Sequence, residues 1–369
     1  MKVAIVHDWL IGGGAEQVVA GLHKLYPEAP IYTSYSTKKW RRQLNGQVVT
    51  GYLQHWPFSA LRKYLPLLRG WWFSRLDLSA FDLVISSSGA EAKFVKIKPP
   101  AVHIAYIHAP THYYWGRYAE YLKRPGFGIF DPLARLGLLL LVGPRRRKDY
   151  KAAQQPDYLV ANSNYTKEQI KKYYGRDSVV IHPPVDVKRF RPKQKTIRQG
   201  FLAAGRQTPY KRIDLAVEAC AELDLPLKVI GNGPDHSKLI RMAGPRVSFL
   251  TAVPDDEMPR HFQQAEAFIF PGIDDFGIVA VEALAAGTPV IAYGQGGALD
   301  YVQAGKTGLL FEEQSVKSLL EAIGKFKTKK FDHSAIARQA DQYSAEKFRS
   351  RWRSYVKKLN LESVVEQNS

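Results

Sequence analysis

The stretch FIFPGIDDFGIVAVEALAAGTPVIAYGQGG, residues 268–297, decides the fold. An apolar run typical of a buried strand leads into a loop with two acids, an apolar helix beginning at Phe276 to Ile278, and a second apolar run. The pattern predicts a strand, helix and strand of a parallel sheet. Asp274 would precede the helix and Glu282 would lie two turns into it. Backbone N–H groups at a helix start bind anions, so the loop predicts a diphosphate site; acids that merely complement the helix dipole are the alternative.

The same alternation of strands and helices runs through both halves of the chain. Apolar runs such as KVAIVHD, FDLVISSS and VHIAYIHA in the first half, and GFLAAG, LKVIGNG and AFIFPG in the second, predict two doubly wound α/β domains. Paired prolines and a basic stretch at Pro183 to Lys195 interrupt the pattern and predict a hinge. The predicted domains are residues 1–187, 188–338 and a helical tail, 339–369, with the ligand site in a cleft between the two sheets.

The length and composition of the chain limit the kinds of protein that it can be. With 369 residues the chain favours two domains, and 53 Lys and Arg against 34 Asp and Glu, a net charge of +19, favour an anionic partner. The lone Cys220 excludes an internal disulfide framework. The N-terminus resembles a first strand more than a signal peptide, and the apolar run Leu133 to Gly143 is too short to span a bilayer. We expect a cytoplasmic protein.

Two cations follow a strand of the second half in the segment GFLAAGRQTPYKRID. Gly205 and Arg206 end the strand, and Lys211 stands where the next helix begins. Ligands of open α/β sheets bind at the carboxyl edge, where both cations would project. Arg206 and Lys211 are therefore candidates for neutralising a diphosphate, with two solvated surface cations as the alternative.

Two glycine-rich loops and one histidine complete the candidates. GGGAEQ begins at Gly12, and GNGPD contains Gly231, Asn232 and Gly233; neither loop fits a dinucleotide-binding fingerprint, and each predicts a nest of backbone amides. His108 follows a buried strand, beside the crowded loop THYYWGRY. It is a candidate for touching the transferred group, although a histidine in this position is often part of the core.

Basic and aromatic residues cluster in two segments, residues 55–76 and 133–148, the second ending in Arg145, Arg146, Arg147 and Lys148. Apolar groups beside cations suit an interfacial helix on an anionic membrane, which predicts a peripheral position on the inner face of the plasma membrane. An internal helix with a rim of snorkelling cations fits equally well.

The motifs GRQTPYKRID, VIGNGPD, VPDDEM and DDFGIVAVEALAAGTPVIA resemble, in order and approximate spacing, the retaining glycosyltransferases of family 4. The resemblance covers nearly the whole chain. It implies the GT-B fold, two Rossmann-like domains facing a central cleft, with a C-terminal helix that returns to the first domain. It also implies a nucleotide-sugar donor and catalysis with no metal and no cofactor.

Carried over to this sequence, the resemblance implies a set of donor contacts. Arg206 and Lys211 would bind the diphosphate, Gly14 and its neighbour Gly13 would close on it, and His108 would meet the sugar. Asp274 would meet sugar hydroxyls and Glu282 the ribose. Asp274 stands where the family usually has Glu, so its carboxylate is one methylene shorter. The residues implied around the phosphate, sugar and base are Gly205, Gly231, Asn232, Gly233, Val253, Phe276, Gly277, Ile278 and Val279.

The variants DDFGI and HAPTHYYWGRY most resemble the mannosyltransferase-like branch of surface-polysaccharide assembly. That branch implies GDP-mannose as donor and a lipid-linked or glycan acceptor. A UDP-sugar-dependent transferase and a sugar-nucleotide epimerase of the same fold are the enzymatic alternatives. A basic nucleic-acid-binding protein would explain the charge but not the phosphate loops, so we expect no nucleic-acid partner.

Overall fold

The computed structural model describes residues 1–62, 65–125, 128–192 and 196–360. These residues form two compact units, one made of Met1–Pro183 with the chain from Phe348 onward, the other of Pro184–Lys347. The predicted boundaries were 187/188 and 338/339. Three predicted details lie outside the described residues: the end of the hinge at Lys195, Lys63 and Tyr64 in the aromatic segment, and the tail beyond residue 360.

The first unit is built on a parallel sheet. Within the described residues its seven strands follow the order β3-β2-β1-β4-β5-β6-β7. The strands are β1 (Val3–His7), β2 (Ile31–Thr33), β3 (Val48–Thr50), β4 (Leu83–Ser88), β5 (Val102–Ile107), β6 (Tyr158–Ala161) and β7 (Val179–Val180). The edge strands β3 and β7 are three and two residues long. They were missed in the sequence because such short strands show no periodic pattern.

Helices flank this sheet. They are α1 (Ala15–His23), α2 (Lys38–Gln43), α3 (Phe58–Leu61), α4 (Pro66–Phe73), α5 (Tyr118–Lys123), α6 (Asp131–Gln154) and α7 (Asn164–Tyr174). The helix α7 has clear local signals at both ends. Its N-cap Ser163 accepts a hydrogen bond from the Thr166 amide, and Gly175 ends it in the left-handed conformation.

The second unit repeats the architecture. Its described strands form one six-stranded sheet in the order β10-β9-β8-β11-β12-β13. The strands are β8 (Phe201–Ala204), β9 (Leu227–Ile230), β10 (Val247–Leu250), β11 (Ala267–Phe270), β12 (Val290–Tyr293) and β13 (Gly308–Phe311). The helices are α8 (Val187–Phe190), α9 (Ile213–Glu222), α10 (His236–Met242), α11 (Met258–Gln264), α12 (Ile278–Ala285), α13 (Val316–Lys327), α14 (His333–Gln339) and α15 (Ala345–Lys358), the last continuing into the first unit.

Both faces of the second sheet are buried. Alternate residues of β8 belong to different cores: Leu202 packs with α12, whereas Phe201 and Ala203 pack with α9 and α13. Because successive side chains of a strand point to opposite faces, a strand covered on both sides must be apolar throughout. This requirement explains the uninterrupted apolar runs from which the strands were predicted.

The chain after His333 forms three short elements and not one continuous helix. Helix α14 ends at Gln339, and a 3-10 turn, Ala340–Tyr343, packs Tyr343 into the core of the second unit before α15 begins. Ser344 between them is extended and bridges Val185. From Phe348 onward α15 packs on the sheet of the first unit, where Trp352 is fully buried with Tyr106. Helix α15 is thus part of the core of the first unit.

The fully buried Trp352 predicts a stability effect that its exposed neighbour on α15 would not show. We expect Trp352→Ala to destabilise the first unit by about 3–5 kcal/mol, because it leaves a large cavity between α15 and β5. Chemical denaturation followed by far-UV circular dichroism measures the effect. Arg353→Ala, at an exposed position, is the control. Equal unfolding midpoints for the two variants would contradict the assignment of α15 to this core.

Candidate functional site

The strand order of the second unit brings several candidate residues to one edge of its sheet. The chain leaves β8 toward β9 on one side and later returns to β11 on the other side of β8. In open α/β sheets, ligands bind outside the carboxyl ends of the strands at such a switch point. Gly205, Arg206 and Lys211 follow β8, and Asp274 follows β11.

Lys211 and Asp274 form the central contact at this edge. The Lys211 Nζ donates a hydrogen bond to Asp274 Oδ2, and both side chains are largely buried. The ammonium also lies 5.5 Å from the ring centroid of Tyr210 and 5.8 Å from that of Phe270. Gly272 permits the approach, since a Cβ there would stand 2.8 Å from the Lys211 Cα. The shorter Asp274 carboxylate is therefore long enough to reach Lys211.

Arg206 lies on the same edge but differs from Lys211 in exposure. Its side chain is open to solvent, and its carbonyl accepts a hydrogen bond from the Thr208 amide at 2.9 Å. Lys211 ends the 3-10 turn Pro209–Lys211, and helix α9 begins at Ile213. The edge thus presents one exposed and one partly buried cation.

Backbone close to α12 is fixed by buried aromatic side chains. Gly277, the N-cap, has a positive φ of 88°, and a Cβ there would come within 2.6 Å of the Tyr301 hydroxyl. That hydroxyl donates to the carbonyl oxygen of Phe276 at 2.9 Å. The Phe276 ring is buried, whereas Ile278 and Val279 in the first turn are half-buried. Glycine is therefore required at 277 by conformation and by packing.

Glu282 is the most perturbed acid near this helix. Burial raises its pKa to about 7, an effect opposed by the positive charge of Arg189 and reinforced by Asp186 and Asp255. The Arg189 guanidinium donates a hydrogen bond to the Asp255 carbonyl oxygen. Val253, in the loop leading to Asp255, packs against the core on the α12 face of the sheet. Glu282, Arg189 and the 253–257 loop thus form one charged neighbourhood.

The structure gives the loop of Gly231, Asn232 and Gly233 a packing role. The Gly231 amide donates to the Leu250 carbonyl oxygen, and the Gly233 amide donates to the Asn232 side chain. A Cβ at Gly231 would stand 2.2 Å from the Gly205 carbonyl oxygen, and one at Gly233 would stand 2.3 Å from that of Gln207. Two amides of the predicted nest are thus engaged within the protein. Contacts of these residues with a donor stay a prediction.

The glycines after α12 also approach protein backbone. A Cβ at Gly297 would stand 2.4 Å from the Phe276 Cα, and one at Gly296 would stand 2.7 Å from the Asp274 carbonyl oxygen. The Gly297 amide donates to that same carbonyl oxygen at 2.8 Å. In the structure these glycines allow the 296–297 backbone to support the loop that carries Asp274.

The first unit holds the other predicted glycine loop. Gly14 is the N-cap of α1, and Gly13 precedes it with a positive φ of 156°. The buried Glu16 carboxylate accepts hydrogen bonds from the amides of Ile11 and Gly12 at 3.2 and 2.8 Å. Two amides before Gly13 are therefore satisfied by an acid of the same chain. This local arrangement fixes the turn from β1 into α1.

His108 belongs to a polar chain across three adjacent strands. Its Nε2 lies 2.7 Å from the Ser87 Oγ, which follows from the pairing of β4 with β5. The Nδ1–H of His7, at the end of β1, donates to the Ser87 carbonyl oxygen at 2.8 Å. His7 and Ser87 were not predicted as site residues from the sequence. The available signal was that both end apolar strands, but neighbouring strands are known only from the fold.

The aromatic loop after His108 is anchored by buried acids. The Tyr113 hydroxyl donates to Glu91, which also pairs with the buried Arg69. Trp115 Nε1 donates to Asp149 at 2.8 Å. These aromatic side chains therefore hold the loop on the first unit. Arg69, predicted within a basic surface segment, is buried in this network.

Two family profiles match most of the chain. Residues 12–189 match Glycosyltransferase Family 4, and residues 184–347 match Glycosyl transferases group 1. The two matches overlap at residues 184–189, beside the boundary between the two structural units in the sequence. Together they cover both doubly wound units.

Relatives of known name are similar over part of the chain. A GDP-mannose-dependent alpha-(1-6)-phosphatidylinositol monomannoside mannosyltransferase of Mycolicibacterium smegmatis is 30% identical over 199 residues, 46% of this chain and 52% of that protein. A D-inositol 3-phosphate glycosyltransferase of Rhodococcus opacus is 29% identical over 232 residues, 54% of this chain and 52% of that protein. The chain thus matches about half the length of these relatives.

Solved structures are similar over nearly the whole chain. Anabaena HepE in complex with UDP has a TM-score of 0.71 and 17% identity, covering 97% of this chain and 100% of that one. The lipopolysaccharide outer core galactosyltransferase WaaB in its apo form has a TM-score of 0.67 and 17% identity, covering 96% and 99%. At such low identity these likenesses show a shared fold. With its two parallel-sheet units and both profile matches, the chain belongs to the glycosyltransferases of family 4 and has the GT-B fold.

Proposed function

We propose that this chain transfers a sugar, with mannose favoured, from a nucleotide diphosphate donor to a lipid-linked or glycan acceptor in polysaccharide or glycolipid biosynthesis. The observation that carries the proposal is the pair of cations at the switch point of the second sheet, with Lys211 bound to Asp274. An exposed guanidinium and a partly buried ammonium suit the two phosphates of a leaving nucleotide diphosphate. Family membership supports the same reaction class.

GDP-mannose is the favoured donor. The support is the Mycolicibacterium smegmatis relative, which is named GDP-mannose-dependent, together with the DDFGI and HAPTHYYWGRY variants in this sequence. The alternative is a UDP-sugar, because HepE, which shares the fold, was solved with UDP. We propose no metal and no cofactor, and retention of anomeric configuration, as the family resemblance implies.

The proposed roles at the donor follow from the contacts around Asp274. Arg206 and Lys211 would stabilise the negative charge that develops on the departing diphosphate, which is the electrostatic effect with the largest expected share of catalysis. Asp274, held by Lys211, would accept hydrogen bonds from sugar hydroxyls. Backbone at Phe276, Gly277, Ile278 and Val279 would meet sugar and phosphate, since early helix amides lack intrahelical partners.

The nucleoside would lie beside α12. We propose that Glu282 binds the ribose and that the loop at Val253 flanks the base. The Arg189 charge, which opposes the effect of burial on Glu282, favours the ionised form that accepts hydroxyl hydrogen bonds. Gly231, Asn232 and Gly233 would border this part of the donor. For Gly13, Gly14 and His108 of the first unit we keep the donor contacts that the family resemblance implies.

Two alternative functions can each be separated from sugar transfer by an experiment. An epimerase of the same fold would consume the nucleotide sugar without an acceptor, so analysis of products with and without a glycan acceptor separates it from a transferase. A basic nucleic-acid-binding protein would bind DNA without sequence preference and with steep salt dependence. The net charge of +19 favours this second function, whereas the paired Lys211 and Asp274 do not.

Nucleotide binding tests the proposed donor directly. We expect GDP to raise the thermal unfolding midpoint of the full chain more than UDP or ADP does, because a ligand bound only by the folded state stabilises it. Differential scanning fluorimetry with each nucleotide measures the effect. A larger shift with UDP would replace GDP-mannose by a UDP-sugar. The absence of a shift with all three nucleotides would contradict the donor site.

Removal of either cation tests the catalytic role. We expect Arg206→Ala and Lys211→Ala each to lower turnover by about a hundredfold or more while the fold persists, since charge stabilisation in the transition state is lost. Steady-state release of nucleotide in the presence of acceptor measures turnover. Lys238→Ala, an exposed cation of the same unit, is the matched control and should retain turnover. Wild-type rates in both site variants would refute the role.

Glu282 predicts a specific pH dependence of stability. Its pKa is raised from 4.5 to about 7 in the folded protein. Between these two pH values the folded state binds more protons than the unfolded state, so the free energy of unfolding falls as pH rises from 4.5 through 7. We therefore expect Glu282→Gln to raise the unfolding midpoint at pH 8, by roughly 2–4 °C for each kcal/mol of relieved cost, and to have little effect below pH 4.5. Thermal scans across this range measure the difference.

The exposed Glu218 on α9 provides the control for this measurement. Glu218→Gln should shift the midpoint by similar amounts at every pH. If Glu282→Gln behaves in the same way, the carboxyl group is not buried as described. Weaker nucleotide binding by Glu282→Gln, in the same scans, would add support for the ribose contact.

A further inference from the structure

Helix α6 of the first unit leaves a row of leucines exposed. The exposed fractions of Leu133, Leu136 and Leu140 are 69%, 51% and 67%. At 3.6 residues per turn they share one face of the helix, and Leu139 and Leu141, also exposed, flank them. The alternative of an internal helix is therefore wrong for this half of α6. No helix within the described ranges is long and apolar enough to span a membrane.

A basic cavity lies at the other end of the same helix. Its volume is about 360 Å³, and Arg147, Lys148 and Lys151 of α6 line it together with Lys96. Its apolar wall includes the Phe94 ring, whose centroid is 5.5 Å from the Lys148 Nζ. In contrast, Arg146 in the same basic run turns inward and donates to the Tyr114 carbonyl oxygen at 2.6 Å. The four cavity cations are exposed to solvent, in contrast to Arg146.

The leucines and the cavity lie on one continuous face. Pro144 lies between the leucines and the cations, but α6 runs as one helix from Asp131 to Gln154. Arg147 is fourteen residues after Leu133, and Lys151 eighteen, so the helical repeat places both on the side of the exposed leucines. From Leu140 to Arg147 the rise along the axis is about 10 Å. An apolar face that adjoins cations suits a bilayer surface, where acyl chains and phosphates are neighbours. Charge complementarity selects an anionic surface over a neutral one.

The closely spaced positive charges in the cavity also favour binding of a phosphate. Burial lowers the pKa of the Lys148 ammonium, and the positive charge of Arg145 lowers it further. A phosphate among these cations would offset their mutual repulsion. The cavity volume is sufficient for a phosphate-bearing headgroup.

We propose that α6 docks the first unit on an anionic phospholipid bilayer, with the exposed leucines in the acyl boundary and a lipid phosphate in the cavity of Lys96, Arg147, Lys148 and Lys151. The proposal does not depend on the sugar donor or on transfer activity. It places a lipid-binding site on a helix that none of the proposed donor contacts uses.

Vesicle sedimentation of the full chain tests the cavity. We expect the chain to sediment with vesicles of phosphatidylcholine mixed with phosphatidylglycerol, and not with phosphatidylcholine alone. Replacing Arg147, Lys148 and Lys151 together by Ala should lower binding by about tenfold or more, since each cation near an anionic surface contributes to attachment. All three side chains are exposed, so the variant should fold, which circular dichroism verifies.

A charge-matched control separates the cavity from the general positive charge of the chain. Lys325, Lys329 and Lys330 are exposed in the second unit, and their joint replacement by Ala removes the same charge. This control should sediment almost as the wild type does. An equal loss in both triple variants would overturn the proposal in favour of non-specific attraction.

The apolar face has its own test. Leu136→Glu with Leu140→Glu should abolish binding to anionic vesicles, whereas Leu223→Glu with Ile240→Glu, at exposed positions of the second unit, should not. Undiminished binding of the first pair would overturn the membrane contact. A second outcome would also overturn it: inorganic phosphate stabilises the wild type but not the cavity variant, and both proteins sediment equally with vesicles. The cavity would then bind a soluble anion and not a lipid phosphate.

Discussion

The contact between Lys211 and Asp274 is the interaction on which the proposed site depends. It joins the loops after β8 and β11, which are neighbouring strands at the switch point of the second sheet. The pair neutralises two charges that would be costly to leave largely buried without partners. It also fixes both side chains beside the start of α12. A phosphate or a sugar hydroxyl would therefore meet polar groups already in position.

The supporting structure explains why the contact can form. Gly272, Gly296 and Gly297 allow backbone segments to approach the loop of Asp274 more closely than any side chain would permit. The Tyr301 hydroxyl donates a hydrogen bond to the carbonyl oxygen of Phe276, next to this loop. Most of the glycines in this region thus serve the rigidity of the loop. A ligand that binds here would meet a surface ordered in advance.

The first unit combines two separate arrangements of charge. Buried pairs, such as Lys93 with Asp149 at 2.8 Å, hold its loops together, while the cations around the α6 cavity remain exposed. The high net charge of the chain therefore does not describe a single surface. A basic segment in the sequence, such as Arg145 to Lys148, contains both inward and outward side chains, because a helix turns its residues through all directions.

The sequence by itself determined the doubly wound class, the approximate positions of the longer strands and the positions of Arg206, Lys211 and Asp274 after strand ends, because apolar periodicity is a local property. Only the tertiary structure decided that Lys211 and Asp274, 63 residues apart, would meet, that His7 and Ser87 would join His108, and that α15 would bury Trp352. It also decided that the α6 leucines face solvent. Such facts depend on which elements become neighbours, and strand order is not encoded in any short stretch of residues.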